Sequence, residues 1–142
     1  MTASNIPFKL TIFNVGKYSL VYPHYYDLQG LPSVVEECTG ILDLDFRLIV
    51  SAFQSCSYTP GQQDPWKLFD IGGDCQPFAI YLKHELDKAG IRSGFVPRDA
   101  HVYNWVEVYG MFWKVDLTVE EVSVLSLVDK ERIFSVYPEL RE

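Results

Sequence analysis

Gly72-Gly73-Asp74-Cys75-Gln76-Pro77-Phe78-Ala79 is the stretch on which the reading of this chain turns. The glycine pair frees the backbone, and a cysteine follows where a helix begins. Cys75, Phe78, Ala79, Leu82, Leu86 and Ala89 fall at offsets 0, 3, 4, 7, 11 and 14, which is one face of a helix. Proline is tolerated only in the first turn of a helix, so Pro77 fixes the start near Cys75. Gly90 supplies the C-terminal stop. Lys83, His84, Glu85, Asp87 and Lys88 fall mostly on the other face and are expected to be wet. A thiol at a helix N-terminus is a place where cysteine becomes reactive, and Cys75 is therefore the candidate nucleophile.

Downstream, Ile91–Val96 reads as a strand. His101 to Tyr109 alternates, with His101, Tyr103, Trp105, Glu107 and Tyr109 on one face and Val102, Asn104, Val106 and Val108 on the other. Gly110 makes a turn and 112–117 returns, so a β-hairpin is predicted. Its arms bring His101 near Asp116, within a residue or two of direct register, where opposite side chains sit roughly 5 Å apart and diagonal ones roughly 7–8 Å. Beyond it, Glu120 and Glu121 read as solvated, 129–132 as a helical turn, and Phe134, Val136 and Tyr137 as a last strand.

Upstream, 8–14 carries β-branched and aromatic residues and reads as a strand, and 18–28 as an irregular strand or loop. Ser33, with Glu36 three residues on, reads as an N-cap. One helix is expected near 43–56, with a shorter one before it. Pro60-Gly61 marks a turn and Pro65 the first position of a short helical turn. Cys38 and Cys56 read as small buried apolar groups. His24 reads as a surface or aromatic-packed histidine and His84 as a solvated one. Trp66, Tyr103, Trp105 and Trp113 read chiefly as core aromatics.

The chain has 142 residues, 48% hydrophobic and 22% charged, which suits one domain with its own core over 1–142. A net charge of −7 argues against a general binder of nucleic acid or anionic membrane. No apolar run approaches the roughly 20 residues of a membrane span. Residues 1–7 lack the pattern of a signal peptide, and three cysteines without one point to reduced thiols in a cytoplasm. With no CxxC pair, neither a zinc site nor any other cofactor is expected.

The chemistry of a Cys75–His101–Asp116 set is acyl transfer. The helix terminus and a neighbouring imidazole are expected to depress the thiol from about 8.5 into the range of roughly 3.5–7.5. His101 would carry the proton to the leaving amine, and Asp116 would hold the imidazole's tautomer. The Cys75 N–H would face the oxyanion, with Tyr58, Gln62 or Gln63 as a second donor. On spacing alone, a catalytic triad and a merely structural set both remain open.

At these residues the chain resembles the transglutaminase-like superfamily of papain-related cysteine enzymes. The blocks are Gly73-Asp74-Cys75-Gln76-Pro77-Phe78-Ala79, Lys88-Ala89-Gly90-Ile91-Arg92-Ser93-Gly94-Phe95-Val96, and His101-Val102-Tyr103-Asn104-Trp105-Val106-Glu107-Val108 followed by Trp113-Lys114-Val115-Asp116-Leu117-Thr118. The likeness covers about 55–118. Gln76 and Tyr103 stand where the family often has aromatic and Trp residues. The resemblance implies an α+β fold, its central helix carrying the cysteine and packed on an antiparallel sheet. It also implies a Cys75, His101, Asp116 triad acting on amides of a protein or peptide through a thioester. A small hydrolase or peptidase (a thiol protease) is the expectation. The rivals are a glutamine transamidase or deamidase, and a non-catalytic binding module on the same fold.

Overall fold

A computed structural model of the chain describes residues 9–15, 18–24, 28–98 and 101–136. Strands β1 (Lys9–Val15) and β2 (Tyr18–His24) form an antiparallel pair, with Val15 opposite Tyr18. The second segment is thus a regular strand where the sequence suggested an irregular one. Two residues separate the arms, the commonest hairpin spacing. Of the residues read into these segments, Phe8, Tyr25 and Tyr26 lie outside the described ones, as does Tyr137 at the far end.

Helix α1 (Leu42–Ser51) is shorter than the expected 43–56, and 34–36 forms bends, not the shorter helix. The polar groups there have long-range partners instead. Val34 N–H donates to Glu85 Oε1 at 2.9 Å, and the Ser33 hydroxyl accepts from Lys88. Asp45, buried in α1, gathers Thr39 N–H, the Thr39 hydroxyl and Gly40 N–H at 2.8, 2.9 and 3.0 Å. Cys38 is exposed in this loop, contrary to the burial expected of it. Cys56 is half-buried against the core, and that burial pushes its thiol up to about 11.

A 3₁₀ turn at Pro65–Lys67, capped by Asp64, leads into the short α2 (Leu68–Ile71), as Pro65 foretold. The central helix α3 then runs Cys75–Lys88, with Gly90 in the left-handed region at φ 75°. It is more buried than an amphipathic helix, since Pro77 to Leu82, Glu85 and Leu86 are all buried. Glu85, expected in solvent, is enclosed. Burial acts to raise its pKa, but His84, the Val34 N–H and Lys88 outweigh that and hold the carboxyl below its usual range. His84 is half-buried rather than solvated, its Nδ1 3.1 Å from Glu85 Oε2.

Strands β3 (Arg92–Arg98), β4 (His101–Val108), β5 (Met111–Asp116) and β6 (Glu121–Val124) form an antiparallel meander in that order. Tyr109 and Gly110 turn β4 into β5 with φ 51° and 82°, as the twist of a tight hairpin requires. The alternation read from β4 divides the core. Val102, Val106 and Val108 pack with α3, whereas Tyr103 and Trp105 join Val96, Phe112, Leu125 and Ile133. That second cluster is closed by α4 (Leu127–Val136), a helix where the sequence suggested a helical turn followed by a strand at Phe134 and Val136. The fold is therefore α+β, with a four-stranded antiparallel sheet packed against helices on both faces. No helix among the described residues is long and apolar enough to cross a membrane.

Candidate active site

The entry to α3 is strapped down by the loop before it. Gly73 N–H donates to Ser57 O at 3.0 Å, Thr59 N–H to Gly73 O at 2.8 Å, and Asp74 N–H to Gln62 O at 2.9 Å. The Gln62 amide gives one N–H to Gly72 O at 2.7 Å and the other to Asp64 O at 3.0 Å. Both Gln62 donors are thus consumed in holding the loop, so Gln62 is not the second oxyanion donor. Tyr58 is exposed and bridges Gly73 through its backbone; Gln63 is exposed as well. Asp74 caps the helix by accepting from Gln76 N–H at 2.9 Å. Its place immediately before the helix start was a readable capping signal.

Cys75 therefore stands in the first turn of α3, half-buried. Among the groups acting on its thiol is the N–H of Val102, on the strand that His101 opens. Burial pushes this thiol above its ordinary value. The Val102 N–H and its own N–H pull it down, and the Asp74 and Asp116 charges add to the rise. The depressed thiol expected from the helix terminus and an imidazole is therefore not the resting condition. Desolvation of the thiolate, together with two carboxylates, outweighs two N–H donors.

His101 opens β4 and Asp116 closes β5. Their Nε2 and Oδ2 atoms are 2.6 Å apart. Asn104 pairs with Val115, which sets Asp116 level with Tyr103 and puts His101 on its diagonal, the relation the hairpin reading allowed. Asp116 is buried. Its other oxygen accepts from the Thr118 hydroxyl at 2.6 Å and from Thr118 N–H at 3.2 Å, capping the 3₁₀ turn Leu117–Val119. Among the described residues, the hydrogen bonds link His101 to Asp116 but not to Cys75.

Three further supports were not drawn from the sequence. Buried Asn104 donates from Nδ2 to Ala79 O at 3.1 Å, tying β4 to α3 one turn past Cys75. Tyr103, its ring 6.2 Å from that of His101, donates its hydroxyl to Asp129 of α4. Asp129 also accepts from Arg98 at 2.7 Å. A polar or aromatic residue at alternating strand positions carries no sequence mark distinguishing such a partner from ordinary packing. Among the described residues, no group of three or more His, Cys, Asp or Glu is disposed to hold a metal ion.

The fold and this geometry describe an α+β domain with a cysteine at the start of its central helix and a hydrogen-bonded histidine–aspartate pair on its sheet. No protein-family model, curated protein or solved structure matches the chain.

Proposed function

We propose that the chain is a cysteine-dependent acyl-transfer enzyme of transglutaminase-like architecture, with Cys75 as nucleophile, His101 as general base and acid, and Asp116 as the orienting carboxylate. The observation that supports it best is the 2.6 Å His101–Asp116 hydrogen bond in a domain whose central helix begins at Cys75. A small hydrolase or peptidase acting on a protein or peptide amide is the form we favour.

Because Nε2 is engaged by Asp116, Nδ1 is the nitrogen left to receive the thiol proton. As Sγ bonds to the amide carbonyl carbon, that proton passes to Nδ1 and the carbonyl electrons move onto oxygen. The Cys75 N–H at the helix start is the donor for that oxyanion. Collapse breaks the C–N bond, and His101 delivers its proton to the departing amine, leaving the acyl thioester. Water, or an amine in a transamidase, then attacks the thioester while His101 takes its proton. A thiol held up by burial requires such a partner, because proton transfer to Nδ1 is its route to the thiolate near neutrality.

Iodoacetamide labelling across pH, read by mass spectrometry, tests the nucleophile. Exposed Cys38 serves as the reference thiol within the same molecule. The expected result is faster labelling at Cys75 than at Cys38 near pH 7, lost in His101→Ala. Equal rates at the two thiols would remove the enzymatic reading. Ammonia release or amine incorporation on a glutamine peptide separates deamidase and transamidase from peptidase.

The raised thiol and the missing Cys75–His101 hydrogen bond favour a second reading, a binding module that retains the arrangement without using it. Cys75→Ala divides the two. The enzyme loses its biological activity with folding intact, and the binding module does not.

A further inference from the structure

The four-stranded sheet ends on β6, and among the described residues only β5 pairs with it. The opposite edge, β3, lies against β2. The Leu125 N–H reaches the Phe112 carbonyl at 3.0 Å, and Val122 stands level with Val115 and Val124 with Trp113. Bonded and non-bonded residues alternate along an antiparallel ladder, so Glu121, Ser123 and Leu125 turn their backbone groups toward β5. Val122 and Val124 turn theirs, an N–H and a C=O each, away from the sheet.

The side chains along this edge are apolar as well. Val119, Val122, Val124, Leu127 and Val128 are between 45 and 75% exposed, all within one short stretch of chain. Val122 and Val124 stand on the face of the sheet where Val115 packs with α3. Single exposed valines are ordinary on a protein surface. Alternate valines on an unpaired edge are different: the open N–H and C=O groups are a template for another extended backbone, and the valines suit a strand laid beside them.

We propose that β6 is the edge at which two copies of this chain associate, pairing antiparallel about a two-fold axis at Ser123 and joining their four-stranded sheets into one of eight strands. The strand is complementary to itself in that register. Val122 is level with Val124 of the second copy, so the outward N–H and C=O groups of each satisfy those of the other. Val119 is carried toward Leu127 of the second copy, which covers apolar residues that a shorter partner strand would leave bare. No acid faces an acid. Glu121 is set opposite Leu125, and exposed Glu120 opposite Ser126. The Ser126 hydroxyl accepts from Asp129 N–H at 3.1 Å in the first turn of α4, so Glu120 approaches the positive end of that helix. The net charge of −7 on each copy opposes approach, but exposed charges more than roughly 8 Å apart are largely screened at physiological ionic strength. The inference is independent of the enzymatic reading.

Sedimentation equilibrium of the full chain is the first test. The mass is expected to climb toward twice that of one chain as concentration rises, and to do so at lower concentration when salt is added, because the copies repel. Val124→Lys, which sets a cation against Val122 of the second copy, should hold the chain at single mass. Cross-linking reads the register, in a Cys38→Ser background that removes the exposed thiol. Ser123→Cys meets its own copy at the axis and should form a disulfide-linked dimer on mild oxidation. Glu120→Cys lies about 20 Å from its own copy, six strand residues away, beyond the roughly 7 Å that a disulfide spans, and should stay single. A wild-type chain that keeps single mass at all concentrations overturns the proposal, as does equal cross-linking at positions 120 and 123. A chain that stays single while an extended valine–lysine peptide protects the Val122 and Val124 amides from hydrogen exchange also overturns it, and gives the edge to a basic partner.

Discussion

His101 and Asp116 meet at 2.6 Å although Asp116 is level with Tyr103 in the register of β4 and β5. The contact is therefore a diagonal one, made by side-chain reach rather than by backbone pairing. It commits the tautomer of the imidazole to the carboxylate. Asp116→Asn is expected to keep the β4–β5 hairpin and lose roughly 10²–10⁴-fold in acylation rate, the range of a misdirected general base. The burst of nitrophenol from p-nitrophenyl acetate measures that rate, and circular dichroism confirms the fold. A variant acylated at the wild-type rate would remove Asp116 from the mechanism.

The Thr118 hydroxyl sits 2.6 Å from the Asp116 oxygen that does not face His101. It fixes the carboxylate's rotation and so acts as a positioning residue. Hydrogen bonds to charged groups contribute about 1.5–3 kcal/mol, so Thr118→Val should lower kcat by roughly ten- to a hundredfold, with KM little changed. Thr118→Ser, which keeps the hydroxyl, should recover most of it. A structural role alone would lower stability and predict no such recovery in kcat.

The sign of the Cys75 shift sets a third expectation. Burial, and the charges of Asp74 and Asp116, raise the thiol, against the Val102 and Cys75 N–H groups. Its thiolate fraction therefore grows only as pH climbs past an ordinary cysteine's value. In His101→Ala, the alkylation rate at Cys75 should rise in a single alkaline step. The wild type should show an added component at lower pH, where the imidazole holds the proton. Asp74→Asn removes one raising charge yet still caps the helix. In the His101→Ala background it should move the alkaline step to lower pH. A step that stays put would mean Asp74 does not reach the thiol.

How much of this was legible depends on whether the cause was local. The start of α3 could be read because Pro77 and the glycine pair act within one turn, and the β4–β5 hairpin because alternation and Gly110 do. The His101–Asp116 pairing followed from that hairpin. Ser33 and Glu36 misled because the Ser33 hydroxyl accepts from Lys88 and the Val34 N–H donates to Glu85, both about fifty residues away in the chain. Glu85 looked solvated because helical periodicity sees one partner face, whereas α3 is covered on several sides. The Cys75 thiol was assigned the wrong direction for a similar reason: a helix terminus is visible in sequence, but the burial that opposes it is a tertiary property. The strand expected at the C-terminal end is α4, whose Ile133 and Phe134 pack into the cluster beneath the sheet. There tertiary packing overrides a short pattern that both periods fit.

Gly72 is where the backbone itself holds the site. It adopts φ 78° and ψ −170°, a region essentially confined to glycine. A β-carbon there would also fall within contact distance of the Ser57 carbonyl oxygen and the Thr59 hydroxyl. Those groups belong to the loop that receives Gly73 and sets Asp74 and Cys75 in place. Gly61 offers the control, since its φ is 80° but nothing lies within 4 Å of a β-carbon there. Gly61→Ala should meet backbone strain alone, of about 1–3 kcal/mol. Gly72→Ala adds the steric contact, so its Tm should fall further, by roughly 2–8 °C for each additional kcal/mol. Labelling at Cys75 should slow in Gly72→Ala and not in Gly61→Ala, measured at a temperature where both are folded. Equal Tm values for the two variants would mean that the loop yields to the methyl group and does not clamp the start of α3.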